Sequence, residues 1–116
     1  MPRSDRLSNY RTTVTCTKGL ISVVYVVTLI VQVDPECNVT LDSGGWRTVT
    51  TKRKMNQAAR QFGLSYGVHQ KDFTWYVDIW SAPLNRWLGL NIPFEDGMTF
   101  NPRELRLKHN AELATA

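Results

Sequence analysis

TTKRKMNQAARQFG, residues 50–63, is the stretch on which the fold turns. Met55, Ala58, Ala59 and Phe62 fall at i, i+3, i+4 and i+7, one narrow apolar stripe of a 3.6-residue helix. Thr50 or Thr51 offers a hydroxyl that can satisfy a free N–H at the helix start. Gly63 stands where a left-handed glycine ends a helix. The spacing predicts a helix over 52–62, about three turns long, lying on a sheet to which the small alanines allow close approach.

The opposite face carries the chemistry. Arg53, Asn56, Gln57 and Arg60 share the same i, i+3, i+4, i+7 spacing, and these are side-chain types that read base edges or phosphates. Arg47, Lys52 and Lys54 add charge that can neutralise a phosphate backbone. Cations crowd the first helical turn, where the macrodipole disfavours them by a few tenths of a kcal/mol each. An anion bound at that end would relieve the conflict and use the free N–H groups. A solvated polar face fits the same pattern.

Working outward, residues 43–71 contain no Asp or Glu, yet hold Arg47, Lys52, Arg53, Lys54, Arg60 and Lys71. Residues 1–63 carry nine cations against four acids, and residues 64–116 five against six. The overall +4 is therefore concentrated in one window, and such a field favours anionic partners, nucleic acid first. With 116 residues, 42% hydrophobic and 21% charged, the chain is globular in composition and of single-domain size. It can bury about two-thirds of its unfolded surface. This excludes a long coiled coil, a disulfide miniprotein and a large multi-step enzyme. Cys16 and Cys37 are too few for a disulfide framework and match no metal spacing, so they read as reduced thiols.

Upstream, Arg3, Arg6, Arg11 and Lys18 precede an apolar run over 20–33. The order imitates a signal peptide, but no small-residue cleavage site follows and the chain continues Asp34-Pro35-Glu36. At 14 residues the run is shorter than the roughly 20 that a membrane helix needs. Its many Val and Ile residues favour a strand. Residues 20–33 therefore read as one long, bent or bulged strand, paired with a shorter strand over 11–17 through Lys18-Gly19.

Short strands over 38–41 and 46–49 flank an Asp42-Ser43-Gly44-Gly45 turn. Beyond the helix, 66–70 and 73–80 read as a hairpin turning at Lys71-Asp72. Phe73, Trp75, Val77 and Ile79 face the core with Met55 and Phe62, while Tyr76 and Trp80 lie on the other face. Those two can stack on bases or anchor a protein interface. A strand over 86–91 follows, then a tight turn at Glu95-Asp96-Gly97 between apolar residues, with Pro93 holding its strand to an edge. Asn101-Pro102-Arg103-Glu104 resembles a helix start, with Asn as cap and Glu at N3, opening a short C-terminal helix or tail.

The catalytic inventory is thin. His69 and His109 belong to no metal-spaced cluster, and Cys37 with His69 lacks any activating context. Asp72 with Asp78, and Glu95 with Asp96, fit turn chemistry or a solvated strand. Phosphate loop, dinucleotide fingerprint and nucleophile elbow are missing from the sequence. The expectation is a non-enzyme with no catalytic residue, cofactor or metal.

The stretch LDSGGWRTVTTKRKMNQ (41–57), with Trp75-Tyr76-Val77 and Phe94-Glu95-Asp96-Gly97-Met98 after it, resembles small uncharacterised proteins of phages and prophages. These share a Gly-Gly-Trp turn, a Thr-Thr-Lys-x-x-Met-Asn helix start and a Trp-Tyr-Val hairpin. The likeness covers roughly residues 39–100 and implies a viral origin with action inside the bacterial host, in its cytoplasm. Such proteins typically open near the Gly-Gly-Trp turn, so residues 1–35 read as an extension. The expected architecture is α+β: a mostly antiparallel sheet, one central amphipathic helix and a short C-terminal helix. It divides into an N-terminal hairpin (1–35), a β-α-β-β core (36–100) and a helix or tail (101–116). The expected function is non-catalytic binding of DNA or RNA through Arg47, Lys52, Arg53, Lys54, Asn56, Gln57 and Arg60. The alternative is a protein-binding inhibitor or modulator of a host factor, anchored by Tyr76 and Trp80. No small-molecule substrate or membrane partner is expected.

Overall fold

The computed structural model describes residues 11–115, with the backbone alone for 112–115. Threonine and valine, which suit a pleated surface, dominate the N-terminal third. They form an antiparallel meander of β1 (Thr12–Thr17), β2 (Leu20–Tyr25) and β3 (Thr28–Val33). β4 (Val39–Leu41) pairs with β3, and β9 (Met98–Phe100) pairs with β4, giving the five-stranded order β1-β2-β3-β4-β9. Two rows of apolar side chains cross this sheet. Val23, Val31 and Leu41 lie side by side in one, Val33, Val39 and Phe100 in the other.

The single strand expected over 20–33 is therefore two. The chain reverses at Val26-Val27, with Tyr25 opposite Thr28 and a register shift between Val23 and Val24. Val26 takes a φ of 60°, which a β-branched side chain rarely adopts. No Gly, Pro, Asn or Asp marks the turn; the pairs Tyr25–Thr28, Val24–Leu29 and Val23–Val31 close the strands that flank it. The same sheet joins residues of the expected N-terminal unit to β4 and β9.

α1 (Val49–Phe62) starts earlier than the spacing predicts. Thr48 is the cap, extended at φ −100° and ψ 161°, and its Oγ1 accepts the Thr51 N–H at 3.2 Å. This turns residues 46–48, expected as a strand, into a loop. Gly63 ends the helix as predicted, at φ 63° with its N–H on the Ala59 carbonyl. Met55 and Ala58 are fully buried, and α1 packs on β3 and on β5 (Tyr66–Lys71).

β5 pairs antiparallel with β6 (Thr74–Ser81). Their turn is Asp72-Phe73, both at positive φ (51° and 65°), one residue later than predicted. Phe73 is consequently 95% exposed instead of in the core, which Trp75, Val77 and Ile79 do occupy. β7 (Arg86–Trp87) and β8 (Ile92–Pro93) pair with β6 as well. The strand expected over 86–91 stops after two residues, because the Gly89 and Leu90 N–H groups donate to the Asp78 carboxylate and not to a ladder.

The turn expected at 95–97 does not make a hairpin. It carries the chain from β8 in the second sheet to β9 in the first. Asp96 Oδ1 accepts the Ser43 N–H at 2.7 Å and its hydroxyl at 2.6 Å, and the Gly97 N–H donates to the Leu41 carbonyl. These bonds hold the crossing to the opening of α1. α2 (Pro102–Thr115) then packs on β6. Its start is as read from the sequence: the Glu104 N–H donates to Asn101 Oδ1 at 3.0 Å. The class is α+β, antiparallel sheets with a central helix and a C-terminal one.

Candidate nucleic-acid interface

The starting point is α1. Its buried positions are Thr51, Lys54, Met55, Ala58 and Ala59. That stripe is wider than the one read from Met55, Ala58, Ala59 and Phe62, and it captures Lys54. Lys54 is only 3% exposed as a residue, its ammonium sits 5.2 Å from the Tyr25 ring centroid, and burial lowers its pKa. Asn56 also faces inward. Its Nδ2 donates to the Val68 carbonyl at 2.9 Å and its Oδ1 accepts the Val68 N–H at 2.7 Å. Among the described residues β5 pairs with β6 on one side only, so Asn56 satisfies the open edge that a further strand would otherwise take.

The other cations divide. The Arg47 guanidinium lies 4.0 Å from the Asp96 carboxylate and 5.1 Å from the Phe94 ring centroid. Lys52 donates to Gln70 Oε1 at 3.4 Å. Arg53 and Arg60 are exposed and Gln57 is half-buried, on the side of α1 away from Met55. The seven residues proposed from sequence thus do not converge. Arg53, Gln57 and Arg60 form an outer face, Lys52 and Arg47 are drawn aside, and Lys54 and Asn56 point inward.

Arg60 leads from that face into a cleft of about 670 Å³ at the C-terminal end of α1. Tyr66, Gly67 and His69 of β5, Trp80 of β6 and Trp87 of β7 line it with Arg60. The cleft is built by polar side chains bound to backbone. The Tyr66 hydroxyl donates to the Met55 carbonyl at 2.7 Å and, with Asn56, fixes the distance between α1 and β5. Burial raises the pKa of that phenol and keeps it a donor. On β6, the buried Asp78 accepts the N–H groups of Ile79 at 2.8 Å and of Gly89 and Leu90 at 3.0 Å. This clamps the segment after Trp87 against the sheet.

Trp87 itself lies over Gly67, where an added Cβ would stand 2.5 Å from its Cη2 atom. Only a glycine lets the indole come that close to the strand. Trp80 meets Trp87 edge to face, with centroids 5.3 Å apart at 74°. Trp87 remains 47% exposed. Trp80 and Tyr76, read from sequence as lying on the face opposite the core, are both half-buried, Tyr76 being stacked with His69 at 5.7 Å and 27°. Sequence reading missed Trp87, Gly67 and His69, because a two-residue strand has no period and a glycine's role depends on what crosses it.

A second groove, of about 440 Å³, lies at the other end of α1, where Tyr25, Val27 and Trp46 flank Thr48 and Thr51. Trp46 is 70% exposed. Among the described residues there is no group of three or more His, Cys, Asp or Glu side chains that could hold a metal ion. No described helix is long and apolar enough to cross a membrane. Cys16 and Cys37 are exposed and unpaired with each other.

A family model described as Kyanoviridae Gp96 protein matches residues 1–101. The match takes in residues 1–35, which the resemblance above left outside. No curated protein and no solved structure matches the chain.

Proposed function

This chain belongs to the Kyanoviridae Gp96 protein family, a family of phage proteins, and from that premise we propose that it binds nucleic acid without catalysis. The reading has it act as a small accessory protein in the cytoplasm of the bacterial host. The observation that carries it is the continuity of one surface: Arg53 and Arg60 are exposed on the outer face of α1, and Arg60 opens onto the aromatic cleft. Guanidinium groups suit phosphate contact, and aromatic faces suit bases. The acid-free window of residues 43–71 keeps carboxylates of α1 and β5 away from this surface. The interface is narrower than the seven residues expected from sequence, because Lys54 and Asn56 serve the fold.

A mobility-shift titration over salt concentration tests this. Contact with two or three phosphates predicts a log–log slope of about −1.4 to −2.1 for a single strand. Arg53→Glu combined with Arg60→Glu removes binding at about 50 mM salt. The pair leaves stability within about 0.5 kcal/mol per site, since both side chains are exposed. A wild-type protein that shifts neither DNA nor RNA at that salt contradicts the reading.

The alternative, a protein-binding modulator of a host factor, draws support from the second groove, where Val27 and Trp46 are exposed beside α1's start. It draws less from Tyr76 and Trp80, which are half-buried. Capture of a host protein that is lost with Trp46→Ser and kept with Trp80→Ala favours this alternative.

A further inference from the structure

We infer that the cleft beside α1 takes one unpaired nucleobase against Trp87, so that the nucleic acid bound is single-stranded. This rests on the nucleic-acid reading and names its ligand class. In a duplex every base face is covered by its neighbours and only edges are presented in the grooves. An aromatic platform therefore has nothing to stack on until a base is unpaired.

Trp87 has the properties of such a platform. Its benzo ring rests on the Gly67 backbone and its orientation is set by Trp80 edge-on, yet about half of it faces solvent. Little side-chain freedom is left to lose on binding. The cleft's volume of about 670 Å³ falls within the roughly 300–1,000 Å³ of small-ligand sites. His69 and Asn91 also line it and can meet the polar edge of a base.

The charge is complementary too. Asp78 is the one carboxylate among the described residues lining the cleft, and three backbone N–H groups already engage it. Arg60 lines the same cleft, and Arg53 lies two turns back on the helix, positioned for the strand's phosphates.

The test measures fluorescence anisotropy of a labelled single strand of about a dozen nucleotides, and of its duplex, with the full chain. The single strand binds at least about tenfold tighter than the duplex. Trp87→Ala weakens the single strand about tenfold and leaves the duplex unchanged, while Trp87→Phe lies between. Gly67→Ala, whose Cβ displaces the indole while leaving it in the chain, abolishes the same preference. Thermal melting confirms that each variant is folded, and the wild-type comparison needs no variant. A duplex bound as tightly as the single strand, or a folded Trp87→Ala with full single-strand affinity, overturns the inference while Arg53 and Arg60 dependence still upholds the broader reading. Binding of neither probe overturns both.

Discussion

The two sheets of this molecule are held together by different means. In the five-stranded sheet, cohesion comes from apolar rows: Val23, Val31 and Leu41 across one line, Val33, Val39 and Phe100 across the next. The sheet of β5 to β8 shares the apolar core through Val68, Trp75, Val77 and Ile79, and three polar side chains also tie its parts. Asn56 joins α1 to β5, Tyr66 ties β5 back to α1, and Asp78 fastens the segment after β7. Apolar rows need only volume and alternation. Polar ties need defined geometry, and they surround the cleft that holds Trp87 and Arg60. The lesson is that both sheets feed one core, and the second adds polar ties around the surface of the cleft.

That contrast can be broken by mutation. The largest expected effect pairs Asp78→Ala with Val31→Ala, each costing about 3 kcal/mol by chemical denaturation: the first by orphaning three N–H groups, the second by leaving a cavity. Under conditions where both remain folded, Val31→Ala retains oligonucleotide binding and Asp78→Ala loses it. Equal loss in both would erase the distinction between the sheets.

A smaller effect is expected from Asn56→Ala, which leaves the Val68 N–H and carbonyl without their partner. Stability falls by about 1–2 kcal/mol, and hydrogen exchange at Val68 accelerates ahead of exchange at Val31. Had Asn56 been a base-reading residue, binding would drop with stability unchanged.

The smallest effect concerns Lys54→Met. Burial lowers the Lys54 pKa below its ordinary 10.5, so the unfolded chain binds more protons between the lowered value and 10.5. Wild-type stability therefore rises with pH across that window, and the methionine variant lacks this rise. The stability difference between Lys54→Met and the wild type moves in favour of the wild type as pH climbs toward 10.5. Denaturation midpoints measured along the pH series check the sign.

Much of the fold was legible because its signals are local. The apolar stripe of α1, Gly63 at its end, the β5–β6 pairing and the Asn101 cap all depend on residues a few positions apart. The reversal at Val26-Val27 was not legible, since no turn-forming residue marks it and a valine at positive φ runs against its conformational preference. Nor was the crossing at 95–97, where an Asp-Gly turn that fits a hairpin is instead held to Ser43 and Leu41. For the site, periodicity separated an apolar stripe from a polar face but could not tell which polar residues serve the fold. Lys54 and Asn56 look as polar as Arg53 and Arg60 until Tyr25 and Val68 arrive beside them. Trp87 becomes a platform only because Gly67, twenty residues earlier, has no side chain beneath it.

On the proposed function, the outer face of α1 and the cleft at its end form one nucleic-acid surface. A chemical-shift map of backbone amides and indole N–H groups, recorded while a short single strand is added, tests it most directly. The claim predicts perturbations clustered at Arg60, Gly63, Gly67 and the Trp87 indole, with Val27 and Trp46 unmoved. Shifts confined to Val27, Trp46 and Thr48 at the opposite end of the helix, with the Trp87 indole unchanged, would contradict it.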